Sequence, residues 1–274
     1  MDIPLATAIV LAATGLAVGA LLLIRRRAPK GGYYTDPERS SGVLSVLGTA
    51  FAVLLAFVIF LAFQSYDGAD KAAGVEALSV KEQFEAAELF APKDRDALQG
   101  ELICYGRAVV SDEWPLMHHG GRCALVDDWV LASERSLDGV QQGDYRERTA
   151  FDKWFDEEAE RDQGRSIRLL EGDGVIPSPL WLVLLLGAMV LVGFMLLFAD
   201  PGEGRGAQAM LIGTVAALIA TSLLVVNFLD HPYREGAGSL DPEAMEQTVG
   251  AMEDEADALQ RVPSIPCDRA GNLS

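Results

Sequence analysis

Long apolar runs, separated by polar segments, dominate the pattern along this chain. Four runs are almost free of Asp, Glu, Lys, Arg and His, and each is about 20 residues long, enough to cross a hydrocarbon core of about 30 Å as a helix. Backbone polar groups find no water in that core, so segments of this kind are helical. The predicted spans are residues 1–24, 43–63, 180–199 and 207–229.

Between the second and third spans, apolar residues recur three and four positions apart, which predicts helices. The second span is expected to continue outward as one helix, with a possible kink at Gly68 and Gly74. Further helices are predicted from Pro92 to just before Pro115, around residues 126–137 and at 144–170. The helix that continues from the second span is predicted to end near Pro92, and its seam is formed by Ala73, Ala77, Val80, Phe84, Ala87 and Ala91. The chain is therefore expected to be all-α, with a helical bundle inserted between spans 2 and 3.

The pattern divides the chain into four parts. Residues 1–65 hold two spans and a basic loop, 66–178 an acidic helical domain, 179–229 two more spans, and 230–274 a tail with one amphipathic helix. The tail helix is predicted to start at Asp241 and Pro242 and to carry an apolar stripe. That stripe needs a partner surface, either the helical domain or a neighbouring subunit.

Basic residues concentrate in the first connection, at Arg25, Arg26, Arg27, Lys30 and Arg39. The positive-inside rule places that loop in the cytoplasm, and an even number of spans then places both termini and the large domain outside the cell membrane. The chain has 40 acidic and 22 basic residues, a net charge of -18. Because nucleic acid needs basic patches, it is excluded as a partner.

The three cysteines lie outside the predicted spans, on the side expected to be oxidising. A bridge between Cys104 and Cys123 is one candidate pairing, and the odd count leaves at least one thiol free or paired between chains. Neither a C-x-x-C pair nor a zinc spacing occurs. The adjacent His118 and His119 fit an exposed turn better than a metal site, so neither a metal nor a cofactor is expected.

No nucleophile motif, phosphate loop or dinucleotide fingerprint occurs, which argues against an enzyme. The acidic pair Asp112 and Glu113 fits a solvated helix end better than a catalytic pair. Inside the spans, the polar side chains are few and uncharged, which disfavours an ion-coupled carrier and leaves open a passive pore. The main ones are Thr49, Thr214, Thr221, Ser222 and Asn227.

Polar residues also cluster where three spans reach the outer membrane surface. They are candidates for a polar mouth of a pore: Gln64, Tyr66, Asp67, Asn227, Asp230 and His231. The alternative is an aromatic belt at headgroup depth, formed by Tyr66, Trp181 and Tyr233. Gly15 and Gly19 in the first span, with Gly42 and Gly48 in the second, predict close helix packing within one chain or between subunits.

Several stretches resemble the bacterial Bestrophin-like domain family: LLAFVIFLAFQSYDGAD at 54–70, YGRAVVSDEWP at 105–115, RSIRLL and PSPLW between 165 and 181, and DHPYREG at 230–236. The resemblance implies an oligomeric membrane protein that passes ions, anions in particular. A non-conducting membrane scaffold or sensor, whose acidic domain binds a partner or ligand, is the alternative. The motif residues expected to be structural are Asp112, Glu113, Trp114, Pro115, Arg165, Arg168, Trp181 and Pro232.

Overall fold

The computed structural model describes residues 2–29, 32–34, 36–118, 121–140, 143, 145–172, 174–259 and 263–273. Within them the chain is helical, with only an isolated bridge between Cys267 and Leu273. The helices are α1 (Ile3–Arg25), α2 (Pro37–Ala87), α3 (Pro92–Ala108), a π-helical turn (Val109–Glu113), α4 (Trp114–Met117), α5 (Ala124–Asp138), α6 (Tyr145–Glu171), α7 (Ser178–Leu196), α8 (Arg205–Leu229) and α9 (Glu243–Ala258). The predicted all-α class is confirmed.

Four of these helices, α1, α2, α7 and α8, are long and apolar enough to cross a membrane. Their positions agree with the four predicted spans. As expected, α2 does not stop at the end of its apolar run but continues as one helix through Gly68 and Gly74. It ends at Ala87, earlier than the predicted end near Pro92, so Ala91 is not part of the seam: it is exposed and directly precedes α3. The tail helix α9 likewise lies where Asp241 and Pro242 predict its start.

The chain divides into two compact units. The span unit comprises Met1–Ser65, Gly174–Asp230 and Glu235–Ala237. The acidic unit comprises Tyr66–Asp173, His231–Arg234 and Gly238–Ser274, so it includes the tail. Helix α2 contributes residues to both units.

Small residues let the helices of the span unit approach one another. At Gly213 of α8, an added Cβ would reach ordinary van der Waals contact with Val18 at 3.4 Å and Thr14 at 3.5 Å of α1, so α1 and α8 pack closely there without strictly requiring glycine. At Gly187 of α7, it would lie 2.8 Å from the ring of Phe51 of α2. Two apolar clusters fill the space between the helices. One centres on Ala17, Leu21, Ile212 and Ala216, and the other on Phe51, Leu55, Val58, Leu184, Leu191 and Val226.

The acidic unit has its own apolar core, to which the predicted α2 seam contributes. The chain after α9 packs directly on α3, because an added Cβ at Gly100 would meet the backbone of Ser264 and one at Gly271 would meet that of Ala108. The indole N–H of Trp129 in α5 donates to the carbonyl of Gly271 at 2.8 Å. The tail is therefore part of the core of this unit.

This packing decides the cysteine pairing. Cys104 on α3 forms a disulfide with Cys267 in the tail, with Cα atoms 5.8 Å apart. The candidate bridge between Cys104 and Cys123 is therefore wrong: Cys123 is a free, buried thiol just before α5. The tail residue, distant in sequence, is the one that the α3 surface brings within bonding range.

The helix after Pro92 also differs from its prediction, which ended it before Pro115. Instead, α3 widens into the π-turn at Val109–Glu113 and continues as α4, with Pro115 in its first turn. The N–H of Trp114 bonds back to the carbonyl of Val109, five residues earlier. Because proline lacks an N–H and crowds the preceding turn, a local widening lets the chain continue past it.

Candidate functional site

Three arginines on α6 form the charged centre of the acidic unit. Arg161, Arg165 and Arg168 are four and three positions apart, so they share one face of the helix, and all three are buried. Gly164 lies on α6 where it contacts α2: an added Cβ would come within 2.8 Å of the backbone nitrogen of Glu76 and 2.9 Å of the carbonyl oxygen of Ala72. This close approach brings the arginines to the carboxylate of Glu76.

Arg168 joins two buried glutamates. Its Nε donates to Oε2 of Glu76 at 2.5 Å, and its Nη2 donates to Oε1 of Glu76 at 2.9 Å and to Oε2 of Glu113 at 2.6 Å. The guanidinium also stands 5.1 Å from the ring centre of Trp114, within cation–π range. Planar, two-pronged pairing of this kind is what guanidinium geometry favours.

Arg165 holds Glu113 from a second side. Its Nη2 donates to Oε1 of Glu113 at 2.6 Å and its Nε to Oε2 at 3.2 Å. Its Nη1 donates to Asp127 at 2.6 Å, and the side chain of Asp127 is 44% exposed. Glu113 is the last residue of the π-turn, so that local widening sets the position at which its carboxylate meets both arginines.

Arg161 is fully buried against Tyr105. The guanidinium lies 5.3 Å from the centre of the phenol ring and donates to Gln83 at 3.2 Å and to Asp162 at 2.8 Å. The hydroxyl of Tyr105 donates to Glu76 at 2.7 Å, which links this pair to the rest. We call Glu76, Tyr105, Glu113, Arg161, Arg165 and Arg168 the buried ionic network.

Electrostatics keep the network charged. Burial alone would raise the pKa of Glu113, but hydrogen bonds from Arg165 and the charges of Arg165 and Arg168 outweigh it and lower that pKa below its usual value. Burial, followed by the nearby carboxylate of Glu76, raises the pKa of Tyr105. At neutral pH Glu113 is therefore ionised and the phenol of Tyr105 keeps its proton, so Glu113 stays paired with Arg165 and Arg168.

The family-motif residues divide between this network and other places. Glu113, Arg165 and Arg168 belong to it, and Trp114 packs on it, whereas Asp112 is half-buried and Pro115 is exposed. The other motif residues lie elsewhere: Pro232 is buried in the acidic unit, and Trp181 lies in the span unit. The expectation that Glu113 lies at a solvated helix end is wrong, since it is fully buried.

Sequence reasoning missed Glu76, Tyr105 and Arg161. The spacing of Arg161, Arg165 and Arg168 on one face of an amphipathic helix was a usable signal for the arginine side of the network. The sequence held no comparable signal for Glu76. This residue lies in an alanine-rich seam, and its partner Arg168 is 92 residues further along the chain.

In the span unit, Asp230 has a defined role. Its Oδ1 accepts hydrogen bonds from the backbone N–H groups of Val175 and Ile176 at 2.8 and 2.9 Å, and its Oδ2 accepts one from the indole of Trp181 at 3.3 Å. The residue is 3% exposed. Asp230, at the end of α8, thus fixes the segment that leads into α7.

The remaining mouth candidates fall in both units. Gln64 is exposed and Asn227 half-buried in the span unit. In the acidic unit, the hydroxyl of Tyr66 donates to the carbonyl of Gly238 at 2.8 Å, Asp67 pairs with Lys71 at 2.5 Å, and His231 is half-buried. A polar mouth built from them stays a prediction.

Among the described residues, no group of three His, Cys, Asp or Glu side chains is placed to hold a metal ion. His118 follows α4 and is half-buried, and His119 lies outside the described residues.

Together, the four apolar spans and the separate helical unit define a helical integral membrane protein. The sequence profile of the Bestrophin-like domain family matches residues 11–245, and the chain belongs to that family. A comparison with curated proteins finds no match.

Solved structures share the fold. The chain is similar to a bacterial bestrophin homologue from Klebsiella pneumoniae solved by Zn-SAD phasing, with a TM-score of 0.67 and 13% identity over 92% of this chain and 98% of that one. Two point variants of that homologue each give a TM-score of 0.68 at 13% identity. The matches cover 89% and 92% of this chain, and 98% and 99% of theirs.

Proposed function

We propose that the protein assembles into a homo-oligomer in the lipid bilayer and provides a passive path for inorganic ions, with anions as the permeant class. The observation that carries the proposal is the match to the Bestrophin-like domain family over residues 11–245, since bestrophins are ion channels. The shared fold over nine-tenths of the chain supports it.

The composition of the spans supports a passive route. The apolar cores 3–24, 43–63, 180–199 and 207–229 contain no Asp, Glu, Lys, Arg or His. Carriers that couple transport to protons or cations depend on ionisable groups at that depth. A path lined by hydroxyls and apolar side chains conducts down a gradient without such groups.

Small residues on two spans support self-association. An added Cβ at Gly15, Gly19, Gly42 or Gly48 would meet nothing within 4 Å. These glycines therefore do not serve packing within the described part of a single chain, although the sequence suggested that use as one alternative. Close approach of a neighbouring helix through small residues is a common mode of association in membranes.

Helix α2 offers a face on which an ion path can form between subunits. Ser41, Ser45 and Thr49 are exposed and follow one another at intervals of four, so they lie on one side of the helix. Each hydroxyl donates to a carbonyl of the preceding turn. For Ser45 and Thr49, which lie within the apolar run 43–63, this bond satisfies the hydroxyl inside the apolar layer. We assign the lining of the path to this hydroxyl face.

Chloride flux from proteoliposomes tests the proposal. The purified protein should release chloride faster than protein-free vesicles do, and native mass spectrometry should show an oligomer. Replacing Ser45→Ala and Thr49→Val together should slow the flux several-fold. Thr214→Val on α8, which also removes an exposed hydroxyl bonded within its helix, should leave it unchanged. A monomer without flux of anions or cations would refute the proposal.

We further propose that the acidic unit and both termini lie outside the cytoplasm. The basic cluster at Arg25, Arg26 and Arg27 supports a cytoplasmic loop between α1 and α2. The disulfide between Cys104 and Cys267 supports an oxidising compartment for the acidic unit. These two signals, one from each unit, agree on the orientation.

A non-conducting scaffold or sensor is the alternative, and a groove in the acidic unit favours it. The groove, of about 400 Å³, lies beside α9 and carries charges of both signs at Arg107, Glu246, Glu253 and Arg269. A mixed-charge groove suits a peptide or a polar ligand. Under this alternative, the protein co-purifies with a partner and gives no chloride flux in vesicles.

A further inference from the structure

Arginines gather around a cavity at the basic end of the span unit. The cavity has a volume of about 320 Å³ and is lined by Leu22, Arg25 and Arg26 at the end of α1, and by Pro201 and Arg205 at the start of α8. No acidic side chain contributes to this lining. Three guanidinium groups therefore surround one small volume at the level where a membrane-spanning helix ends.

Arg25 builds the cavity. Its Nη1 donates to Gln208 at 2.5 Å, and its Nη2 donates to the carbonyl oxygens of Pro201, at 3.1 Å, and of Glu203. These bonds tie the end of α1 to the turn before α8 and to its first residues. Half-buried and held by these three hydrogen bonds, Arg25 fixes the shape of the site.

Arg26 and Arg205 supply positive charge that is not part of an ion pair. Both are exposed, and neither pairs with an acidic group within the described residues. The first turn of α8, which Arg205 opens, contains no acidic residue and has no side-chain cap. Positive charge left unpaired in a cavity at a helix end favours an anion over a cation or a neutral ligand.

We propose that this cavity binds a phosphate group, and that the group is the headgroup phosphate of an anionic phospholipid. Basic pockets between spanning helices bind such headgroups, since the bilayer presents phosphate at that depth. Leu22, 40% exposed, lines the same cavity on the side of the apolar part of α1. A lipid whose phosphate binds the arginines would lay its acyl chain along this side of the helix. A zwitterionic lipid is disfavoured because the lining has no acidic side chain to pair with the positively charged ammonium group of its headgroup. This site is independent of the proposed ion path.

Native mass spectrometry of the full-length protein, titrated with phosphatidylglycerol or phosphatidylcholine, tests the site. The wild-type protein should bind phosphatidylglycerol at least ten-fold more tightly than phosphatidylcholine. The double variant R26Q/R205Q should lose that preference. The control R27Q/R39Q removes the same number of charges from the same basic end without touching the cavity lining, and should keep it.

Inorganic phosphate, added as a competitor, distinguishes the two sources of the phosphate group. Failure of millimolar phosphate to displace phosphatidylglycerol supports the lipid assignment, whereas displacement at that concentration overturns it in favour of a free anion. Equal binding of the two lipids by the wild-type protein overturns the site itself. So does an equal loss of the preference for phosphatidylglycerol in R26Q/R205Q and R27Q/R39Q. If the double variant does not fold, R205Q alone is compared with R27Q alone by the same criteria.

Discussion

Glu113 connects two arginines of the buried ionic network, because it accepts hydrogen bonds from both Arg165 and Arg168. Glu113→Gln removes one carboxylate charge and leaves two buried guanidinium groups short of a partner. Breaking a buried ion pair from one side costs about 3–5 kcal/mol. We expect a loss of that order in the stability of the acidic unit, seen as faster hydrogen exchange of α6 amides in the intact protein.

Asp127→Asn is the matched control for that substitution. Asp127 also accepts from Arg165, but its side chain is 44% exposed, and a pair so open to solvent contributes about 1 kcal/mol or less. Equal effects of the two variants on α6 exchange would show that Glu113 contributes no more than a surface ion pair does.

The lowered pKa of Glu113 sets a pH dependence. The unfolded chain binds a proton at this carboxyl near its usual pKa of about 4.3, whereas the folded chain binds it only at lower pH. Its stabilising contribution is therefore complete above that value and is lost as pH falls through the lowered pKa. We expect the melting temperature of the acidic unit to fall in that acid range.

Melting curves of the Glu113→Gln variant, recorded over the same pH range as those of the wild type, isolate the contribution of Glu113. Burial raises the pKa of Glu101 and of Glu158, so these groups change stability with the opposite sign as pH falls. The difference between wild type and variant should shrink on acidification. A difference that stays constant from neutral to acid pH would contradict the assignment.

Only part of the buried ionic network could be predicted from the sequence, and the reason is physical. The motif stretches pointed to Glu113, Arg165 and Arg168. Their role as a buried network was not predictable, because it depends on the fold bringing Glu76 and Arg168 together. Cys267 was missed for the same reason: three cysteines permit several pairings, and only the packing of the tail on α3 selects one.

The contact of α6 with α2 within the acidic unit depends on the absence of a side chain at Gly164. In Gly164→Ala, the new Cβ would lie within 3 Å of backbone atoms of both Glu76 and Ala72. Backbone cannot rotate away as a side chain does, so the helices must separate. We expect a loss of about 1–3 kcal/mol, the usual cost of overpacking, measured as hydrogen exchange in α6.

Gly74→Ala on α2 provides the control. An added Cβ there meets nothing within 4 Å, and replacing a helical glycine by alanine gains up to about 1 kcal/mol. This variant should therefore be neutral or slightly more stable than wild type. If Gly164→Ala is as stable as Gly74→Ala, the two helices are not in the close contact described.

The helices themselves were largely predictable, and the exceptions have identifiable causes. Runs without charge mark α1, α7 and α8 clearly, because a hydrocarbon layer tolerates little else. The stop expected before Pro115 failed because the π-turn lets the helix widen ahead of the proline. A period of 3.6 residues does not reveal where such a turn forms.

For the whole molecule, the proposed orientation makes a labelling prediction. Tyr145→Cys introduces a thiol at a position 82% exposed in the acidic unit, and Arg27→Cys introduces one in the basic loop. An impermeant maleimide should label the first variant in intact cells and the second only after lysis. Cys123 is buried and should contribute little background. The reverse pattern would place the acidic unit in the cytoplasm.

The reversal potential of the purified protein in a planar bilayer is the decisive test of a passive ion path. With asymmetric potassium chloride and no proton gradient, the current should reverse close to the equilibrium potential of chloride. The reversal potential should not shift when a pH gradient is added, because the apolar cores of the spans carry no ionisable group that could couple ion movement to protons. Absence of current under every condition, or a reversal potential that follows the proton gradient, would rule out a passive ion path through this protein.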